Sequence, residues 1–212
     1  LVYYPLATLM LAGVKNILII SSPEAQASYQ RLLGDGGQLG LSLTYAVQAE
    51  PKGIAEALLI GQSFIAGERV MMILGDNIFF GHGLAQFLLA ACEKASGASI
   101  FGYWVSDPER FGVVDLDVDG NPTAITEKPT NPTSNYAVTG LYFYDQRASE
   151  FAAELTPSAR GELEITDLNR RYLELGDLSV YRLQRGFAWL DAGTPDALRD
   201  AANYVAPLER RQ

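Results

Sequence analysis

The sequence predicts an α/β protein in which a mixed, mostly parallel central sheet has helices on both faces. Three observations favour this fold class. Short apolar runs alternate with helical segments in the first half of the chain, an order typical of a parallel, doubly wound sheet. The 212 residues are 48% hydrophobic and 19% charged, which suits a large buried core. Neither a repeat nor a linker interrupts the pattern, so we expect a single domain over residues 1–212.

The first half of the chain supplies the alternating elements. Pro5 suits the first turn of an opening helix that ends near Gly13, and Ser22 with Pro23 marks the start of a second helix. The predicted strands are 16–20, 41–47, 70–74 and 99–104, and the helices predicted after the opening one are 23–33, 53–64 and 84–94.

The regular alternation of strands and helices ends after residue 105. Segments 111–118 and 122–127 predict two strands around an Asp-Gly-Asn turn, and 136–144 predicts a strand rich in aromatic and β-branched residues. The remaining predicted elements are helices at 147–155 and 166–175, strands at 178–183 and 187–190, and a last helix that begins at Thr194-Pro195 and ends near 205.

Net charge limits the partners of this protein. A formal charge of -9 argues against nucleic acid polymers and anionic membrane surfaces as partners. An acidic protein binds polyphosphates only by local means, such as a metal held by carboxylates, a placed Lys or Arg, or backbone N–H groups. The single cysteine, Cys92, excludes an internal disulfide, and we expect a buried thiol in a reducing cytoplasm.

Gly75-Asp76-Asn77 is the most informative motif, because it follows the apolar strand 70–74. This strand is predicted to be buried on both faces. In open α/β sheets, ligands bind outside the carboxyl ends of the strands, so Asp76 lies where a ligand is expected. A carboxylate there suits Mg²⁺ that carries a phosphate. The alternative is a strand-ending turn in which Asp76 only caps backbone groups.

Asp191 repeats this pattern late in the chain. It ends the apolar run Trp189-Leu190, and the small residues Ala192-Gly193 lead from it toward a helix. Mg²⁺ is commonly held by one or two carboxylates together with phosphates and water, so two strand ends can share one ion. Turn capping is the alternative for Asp191, because the following Thr194-Pro195 already signals a turn.

Lys128 lies between Glu127 and Pro129 at the end of a predicted strand. A proline disfavours the helical region for the residue before it, so we expect an extended backbone that aims the Lys128 ammonium at a phosphate. The alternative is a surface ion pair worth less than about 1 kcal/mol.

Gln48 ends a predicted strand, and Gly53 lies in the turn that follows. A glutamine side chain offers a donor and an acceptor, enough to read the edge of a nucleobase, and Gly53 lets a flat ring approach the backbone. An ordinary β-to-α loop is the alternative. Gly112 inside a strand marks either the close approach of a ligand or a bulge. His82, the single histidine, is interpreted as a local polar contact rather than a catalyst.

Six segments together resemble glucose-1-phosphate thymidylyltransferase, in the family's order and over essentially the whole chain. Each segment alone is weakly specific, but six in register are highly specific. They are 74–82, 107–114, 127–129, 137–145, 160–167 and 186–191. The resemblance implies a Rossmann-like nucleotidyltransferase fold and a Mg²⁺-dependent transfer of a thymidylyl group from dTTP to glucose 1-phosphate. The products would be dTDP-glucose and pyrophosphate, in the first step of dTDP-rhamnose biosynthesis.

The resemblance also implies roles for individual residues. Asp76 and Asp191 would bind Mg²⁺ and would act in catalysis together with Lys128, which also holds the sugar phosphate. Gln48 and Gly53 would read the thymine.

The glucose would lie against Gly112, Glu127 and Val138. The family further implies a cytoplasmic enzyme that is a homotetramer at full length.

Departures from the family pattern shape the remaining expectations. Family members begin with a strand and a Gly-rich loop with an Arg and a Lys, ahead of the point where this sequence starts, and continue into a C-terminal helical region. We therefore expect a fragment with little turnover, and a gap or an unpaired edge in the sheet where the first strand would lie. Lys52 and Glu56 replace residues that are commonly Asp and Gln beside the base site, and could alter nucleotide preference.

Three alternative functions stay open at this point. The protein could act on another nucleotide and sugar phosphate, could bind nucleotide sugars without catalysis, or could be a metal-dependent glycosyltransferase with a similar sheet and acidic metal site.

Overall fold

The computed structural model describes residues 1–94 and 96–211 and confirms the α/β class. The described helices are α1 (Tyr3–Leu11), α2 (Pro23–Leu33), α3 (Glu56–Ile60), α4 (Gln62–Ile65), α5 (Leu84–Glu93), α6 (Ala148–Ala153), α7 (Ile165–Glu174) and α8 (Pro195–Glu209). The described strands are β1 (Asn16–Ser21), β2 (Ser42–Val47), β3 (Val70–Ile73), β4 (Asn77–Gly81), β5 (Ala98–Trp104), β6 (Gly112–Leu116), β7 (Pro122–Glu127), β8 (Tyr136–Tyr144), β9 (Leu178–Leu183) and β10 (Phe187–Asp191).

Strand β8 lies at the centre of the main sheet. It runs antiparallel to β3 and to β5, while β9 pairs with β5 in parallel. Strands β3, β5 and β9 therefore share one direction, and β8 is inserted against it. The hairpin β6–β7 joins β8 through the pair Val113 and Ala137. The sheet is mixed, as predicted.

Helices cover both faces of this sheet. Ile100 and Phe101 are consecutive residues of β5, so their side chains point to opposite faces, and both are fully buried. Ile100 belongs to a core with Leu168 and Tyr172 of α7, whereas Phe101 belongs to a core with Leu88 of α5. The two cores hold the sheet between helical layers.

Strands β1 and β2 form a separate parallel pair. A cavity of about 770 Å³ lies between β1 and β3 and is lined by both strands, and no ladder joins these strands in the described part of the chain. In the described residues, no strand occupies the space between β1 and β3. The prediction that strand 70–74 is buried on both faces is wrong, because every residue of β3 is half-buried where the strand borders the cavity.

Strand β4 is absent from the predicted elements. Ile78 and Phe79 are both buried, so the segment lacks the alternation that marks a half-buried strand. Its partner is β10, with Asn77 opposite Asp191 and Gly81 opposite Phe187. This antiparallel pair connects the two acidic motifs of the sequence.

Two predicted helices differ from those observed. The helix expected over 53–64 is the pair α3 and α4, divided at Gly61. It begins only at Glu56, because Lys52 O and Ala55 N hydrogen bond with the backbone of Leu163. Helix α8 extends beyond 205 and includes Pro207 in its last turn.

The Cys92 thiol is half-buried rather than fully buried, and burial raises its pKa. Among the residues that the structure describes, none of the helices combines the length and the apolar character needed to cross a membrane.

Candidate active site

Asp76 and Asp191 lie together at one end of the β4–β10 pair. The Ala192 N–H donates to the backbone oxygen of Asp76 at 2.8 Å, which holds the two motifs side by side. A β-carbon placed on Gly193 would lie 2.9 Å from Asp76 Oδ2 and 3.1 Å from Asp191 Oδ1. The two carboxylates therefore face a common point, and Gly193 leaves that point open.

Asn77 holds the side chain of Asp76, a role that was not predicted. Its buried side chain donates from Nδ2 to Asp76 Oδ1 at 2.8 Å. Its Oδ1 accepts from the Gly140 N–H at 3.0 Å and from Trp189 Nε1 at 2.6 Å. Asn77 thus ties Asp76 to β8 and β10. Its place directly after Asp76 in the motif was the available signal.

Neither acidic side chain has a cation from the chain itself. In the described residues, Asp76 accepts from Asn77 and Asp191 from the Gly193 N–H, and neither forms an ion pair. Within that same part of the chain, no group of three or more His, Cys, Asp or Glu side chains is placed to hold a metal. Two carboxylates without further protein ligands suit a Mg²⁺ ion that completes its shell with phosphates and water.

Gln48 and Gly53 line the same cavity as Leu74 and Gly75, which directly precede Asp76. The predicted base-reading residues and the acidic pair are thus neighbours. Gly53 has a φ of +104°, and a β-carbon there would lie 2.3 Å from the Leu163 backbone oxygen. The close packing of Leu163 is therefore sufficient reason for glycine at position 53.

Gly112 and Glu127 are partners in the β6–β7 ladder. Thr166 Oγ1 donates to Glu127 Oε2, and a β-carbon on Gly112 would lie 3.0 Å from that Thr166 oxygen. Gly112 therefore makes room for the hydrogen bond. The irregularity in this ladder lies at Asp115 and Leu116, so Gly112 does not mark a bulge.

Val138 lies on β8, the strand that β6 joins. It is half-buried and packs against the core beneath α7. Its chain neighbour Ala137 pairs with Val113 of β6, and Val113 directly follows Gly112.

Arg160 lies between Glu127, a predicted sugar-binding residue, and Glu162, which lines the cavity. Its guanidinium lies 2.9 Å from Glu164, 3.3 Å from Glu162 and 3.4 Å from Glu127. The hydrogen bond with Glu164 is the main reason why the pKa of Arg160 is raised. Glu162 also lines the cavity beside Gln48. Arg160 and Thr166 were not predicted as site residues, although both lie in the family-like segment 160–167.

Lys128 departs from its predicted conformation. Its φ is +39°, so the extended backbone expected before Pro129 is wrong. The Lys128 N–H donates to the Phe111 oxygen at 3.0 Å, a bond that holds the residue in this conformation. A positive φ outside glycine is uncommon and marks a backbone held by its surroundings. The side chain is exposed, with Nζ 4.0 Å from Glu127 Oε1. His82 is also exposed.

A model of the family described as Nucleotidyl transferase matches residues 1–207. The chain belongs to the nucleotidyl transferase family. Its similarity to glucose-1-phosphate thymidylyltransferase, predicted from six motifs, is confirmed by curated relatives of that name. The relative from Xanthomonas campestris pv. campestris (strain B100) is 56% identical over 212 residues, which are 100% of this chain and 72% of that protein. The relative from Neisseria gonorrhoeae is 57% identical over 100% of this chain and 74% of its own length. The relative from Mycobacterium tuberculosis (strain CDC 1551 / Oshkosh) is 50% identical over 100% of this chain and 73% of its own length.

Solved structures of other nucleotidyl transferases share the fold. A Bacillus anthracis structure described as a glucose-1-phosphate thymidylyltransferase in complex with sucrose has a TM-score of 0.88 at 38% identity, over 96% of this chain and 81% of that chain. UDP-glucose pyrophosphorylase in complex with UDP-glucose has a TM-score of 0.82 at 21% identity, over 96% of this chain and 85% of that chain, and this similarity shows the fold alone.

Proposed function

We propose that this nucleotidyl transferase moves a thymidylyl group from dTTP to glucose 1-phosphate and releases pyrophosphate. The observation that carries the proposal is the convergence of Asp76 and Asp191 beside Gly193, next to the cavity that Gln48 and Gly53 line. The relatives named glucose-1-phosphate thymidylyltransferase support the choice of substrates.

The reaction joins two polyanions. A phosphate oxygen of glucose 1-phosphate attacks the α-phosphorus of dTTP, the bond from that phosphorus to the bridging oxygen breaks, and pyrophosphate leaves. Because the sugar phosphate is itself the nucleophile, the chain supplies positioning and charge rather than a nucleophilic side chain.

Asp76 and Asp191 are the residues that would hold Mg²⁺. When bound, the ion neutralises negative charge on the phosphates. Asn77 keeps Asp76 oriented toward the shared point, and Lys128 places an ammonium for the sugar phosphate.

Base and sugar are assigned to two different parts of the site. Gln48 and Gly53 receive the thymine, beside the cavity. Gly112, Glu127 and Val138 receive the glucose, where Glu127 accepts hydrogen bonds from sugar hydroxyls. Thr166 holds the orientation of Glu127.

The domain organisation, oligomeric state, cellular location and pathway of the protein stay predictions. The family match over residues 1–207 supports one catalytic unit in this chain. Assembly into a homotetramer at full length, a cytoplasmic location and the role in dTDP-rhamnose biosynthesis rest on the resemblance.

Release of pyrophosphate tests this function. The full-length protein is mixed with glucose 1-phosphate, Mg²⁺ and one of dTTP, UTP, CTP, ATP or GTP, with glucose 6-phosphate as the matched acceptor control. We expect the fastest release with dTTP and glucose 1-phosphate. Equal rates with dTTP and UTP would contradict the thymidylyl assignment. Nucleotide-sugar binding without pyrophosphate release from any pair would favour a binding module instead.

A further inference from the structure

Tyr142 has a buried hydroxyl without a partner in the described chain. The residue lies on β8 and is only 3% exposed. Among the residues that the structure describes, no group forms a hydrogen bond with its hydroxyl. Buried polar groups nearly always have a partner, because an unpaired one has lost its contacts with water. The partner of this hydroxyl is therefore to be sought outside the described chain.

Two neighbouring tyrosines differ from Tyr142 in this respect. The ring of Tyr144 is stacked on that of Tyr142, with 6.0 Å between the ring centroids, and its hydroxyl donates to Asn169 Oδ1 at 2.7 Å. The Tyr172 hydroxyl donates to Asp145 Oδ1 at 2.9 Å. Both of these hydroxyls are used within the fold, so the unpaired state of Tyr142 is not a general property of this aromatic cluster.

The Tyr142 hydroxyl borders open space. In the described chain, the side-chain oxygens that are sealed in the interior without a partner belong to Thr139 and Ser149. The Tyr142 oxygen is not one of them, although it too has no partner, so it is not sealed. A group from outside the chain can therefore reach it.

Tyr142 lies on the same face of β8 as the predicted sugar-binding residue Val138. Alternate residues of a strand point to one face, and both side chains pack in the core beneath α7. Gly140 lies between them, and a β-carbon on it would lie 2.6 Å from Asn77 Oδ1. Because Asn77 holds the Asp76 side chain, this face of β8 borders both the predicted sugar-binding residues and the acidic pair.

Two carboxylates of the candidate site act on the Tyr142 hydroxyl. Burial is the main reason why the pKa of Tyr142 is raised, and the negative charges of Glu127 and Asp76 raise it further. Because electrostatic effects fall with distance, the hydroxyl lies near both carboxylates. It keeps its proton at neutral pH, so it remains able to donate a hydrogen bond.

We infer that Tyr142 is a further sugar-binding residue, whose hydroxyl forms a hydrogen bond with a hydroxyl of the glucose between Glu127 and Asp76. The inference rests on the proposed function, which places the glucose against Gly112, Glu127 and Val138. It adds a contact from the floor of the site, where β8 lies.

A sugar hydroxyl suits this place better than a phosphate does. The Tyr142 hydroxyl both donates and accepts, and so does a hydroxyl of glucose. The sugar hydroxyl can therefore accept from Tyr142 and donate to the Glu127 carboxylate. A phosphate oxygen near Glu127 would meet a second negative charge instead.

Tyr142→Phe in the full-length protein tests the inference, because it removes one oxygen and keeps the stacked ring. The KM for glucose 1-phosphate should rise about 5- to 10-fold, the usual loss for one hydrogen bond, whereas the KM for dTTP should stay the same. Ligand-observed NMR of glucose 1-phosphate should show the same loss without turnover. The midpoint of denaturant unfolding should stay the same or rise, because an unpaired buried group is removed.

Tyr144→Phe is the matched control. It removes the hydroxyl of the adjacent stacked tyrosine, which is bonded to Asn169. Its unfolding midpoint should fall, because Asn169 loses a buried partner, and its KM for glucose 1-phosphate should not change. The two variants thus separate a hydroxyl that serves the ligand from one that serves the fold.

Deoxy analogues of glucose 1-phosphate identify the sugar hydroxyl that contacts Tyr142. Removal of that hydroxyl should cost about 5- to 10-fold less affinity in Tyr142→Phe than in the unmodified protein, since the contact is already lost. The other deoxy analogues should lose the same affinity in both proteins. If every analogue behaved alike in the two proteins, no sugar hydroxyl would contact Tyr142, and the inference would be overturned.

The remaining outcomes separate this inference from the proposed function. Equal affinity of Tyr142→Phe and the unmodified protein for glucose 1-phosphate would overturn the inference and leave the proposed function standing. A less stable or unfolded Tyr142→Phe would also overturn it, because the hydroxyl would then serve the fold. If the unmodified full-length protein released no pyrophosphate from dTTP and glucose 1-phosphate, the proposed function would fail, and the inference with it.

Discussion

Two acidic centres of this molecule differ in the source of their positive charge. Asp145 is 2% exposed, and its Oδ2 accepts from Arg147 at 2.6 Å and from the Gly97 N–H at 2.7 Å. Arg147 also reaches Asp177 at 2.7 Å. At the other centre, Asp76 and Asp191 are half-buried, and among the described residues neither is paired with Arg or Lys.

The difference separates a carboxylate that holds the fold from a pair that is free to hold a ligand. Burial by itself raises the pKa of Asp145, but hydrogen bonds from Arg147, the Gly97 N–H and Tyr172 together outweigh it and lower the pKa below the usual carboxyl value. Asp145 therefore stays charged within the protein. Asp76 and Asp191 have no such cationic partner among the described residues, which suits the cation that we propose to bind there.

The largest expected effect is on turnover when the second centre is neutralised. Mutation of a residue that only supports a metal ligand lowers metal affinity or activity about 10- to 100-fold. In the full-length protein, Asp76→Asn or Asp191→Asn should therefore lower the rate of pyrophosphate release by at least about 100-fold. The melting temperature should change little, because neither carboxylate is part of an ion pair in the described chain. The exposed Asp119→Asn serves as the control. A normal rate would remove the substituted residue from the metal site.

The same chemical change at the first centre should act on stability instead. Asp145→Asn leaves Arg147 without its buried partner, and breaking such a pair costs about 3 kcal/mol. Denaturant unfolding should show a lower midpoint, whereas the rate per folded molecule should stay near that of the unmodified protein. If Asp145→Asn were as stable as the original chain, the Arg147 network would not be structural.

The cations of the two regions can be compared as well. Unlike Arg147, Lys128 is exposed, and among the described residues its nearest carboxylate oxygen, Glu127 Oε1, is as far as 4.0 Å from Nζ. The ammonium therefore remains available to a substrate. Lys128→Ala should raise the KM for glucose 1-phosphate by about 10-fold, the loss of roughly 1.4 kcal/mol from one charged contact. Steady-state kinetics would show this against the exposed control Lys15→Ala. Unchanged kinetics for glucose 1-phosphate would contradict the proposed role of Lys128.

The smallest effect is a dependence of stability on pH. The pKa of Asp145 is lower in the folded protein than in the unfolded chain, where it is about 3.9. Its contribution is therefore complete above that value and is lost as the pH falls through the folded pKa. The free energy of unfolding should fall more steeply below about pH 4 in the unmodified protein than in Asp145→Asn. Parallel curves would contradict the lowered pKa.

The agreement between prediction and structure was best where the local signal was strong. The strand 136–144 was predicted with its observed bounds, because six of its nine residues are aromatic or β-branched, the types that are enriched in strands. The β9 strand was predicted equally well. By contrast, β4 was missed, because its identity as a strand depends on pairing with β10.

The candidate site shows the same difference between what the local sequence predicts and what tertiary contacts decide. Asp76 and Asp191 were recognisable as candidates because each follows an apolar strand, and the six motifs identified the family from the residues alone. The meeting of their carboxylates, the contacts of Asn77, the positive φ of Lys128 and the direction of the Gln48 amide were decided only in three dimensions. The first three depend on atoms from segments distant in the chain, whereas the Gln48 amide depends on how its own loop folds back on it. Local propensity carries no information about such contacts.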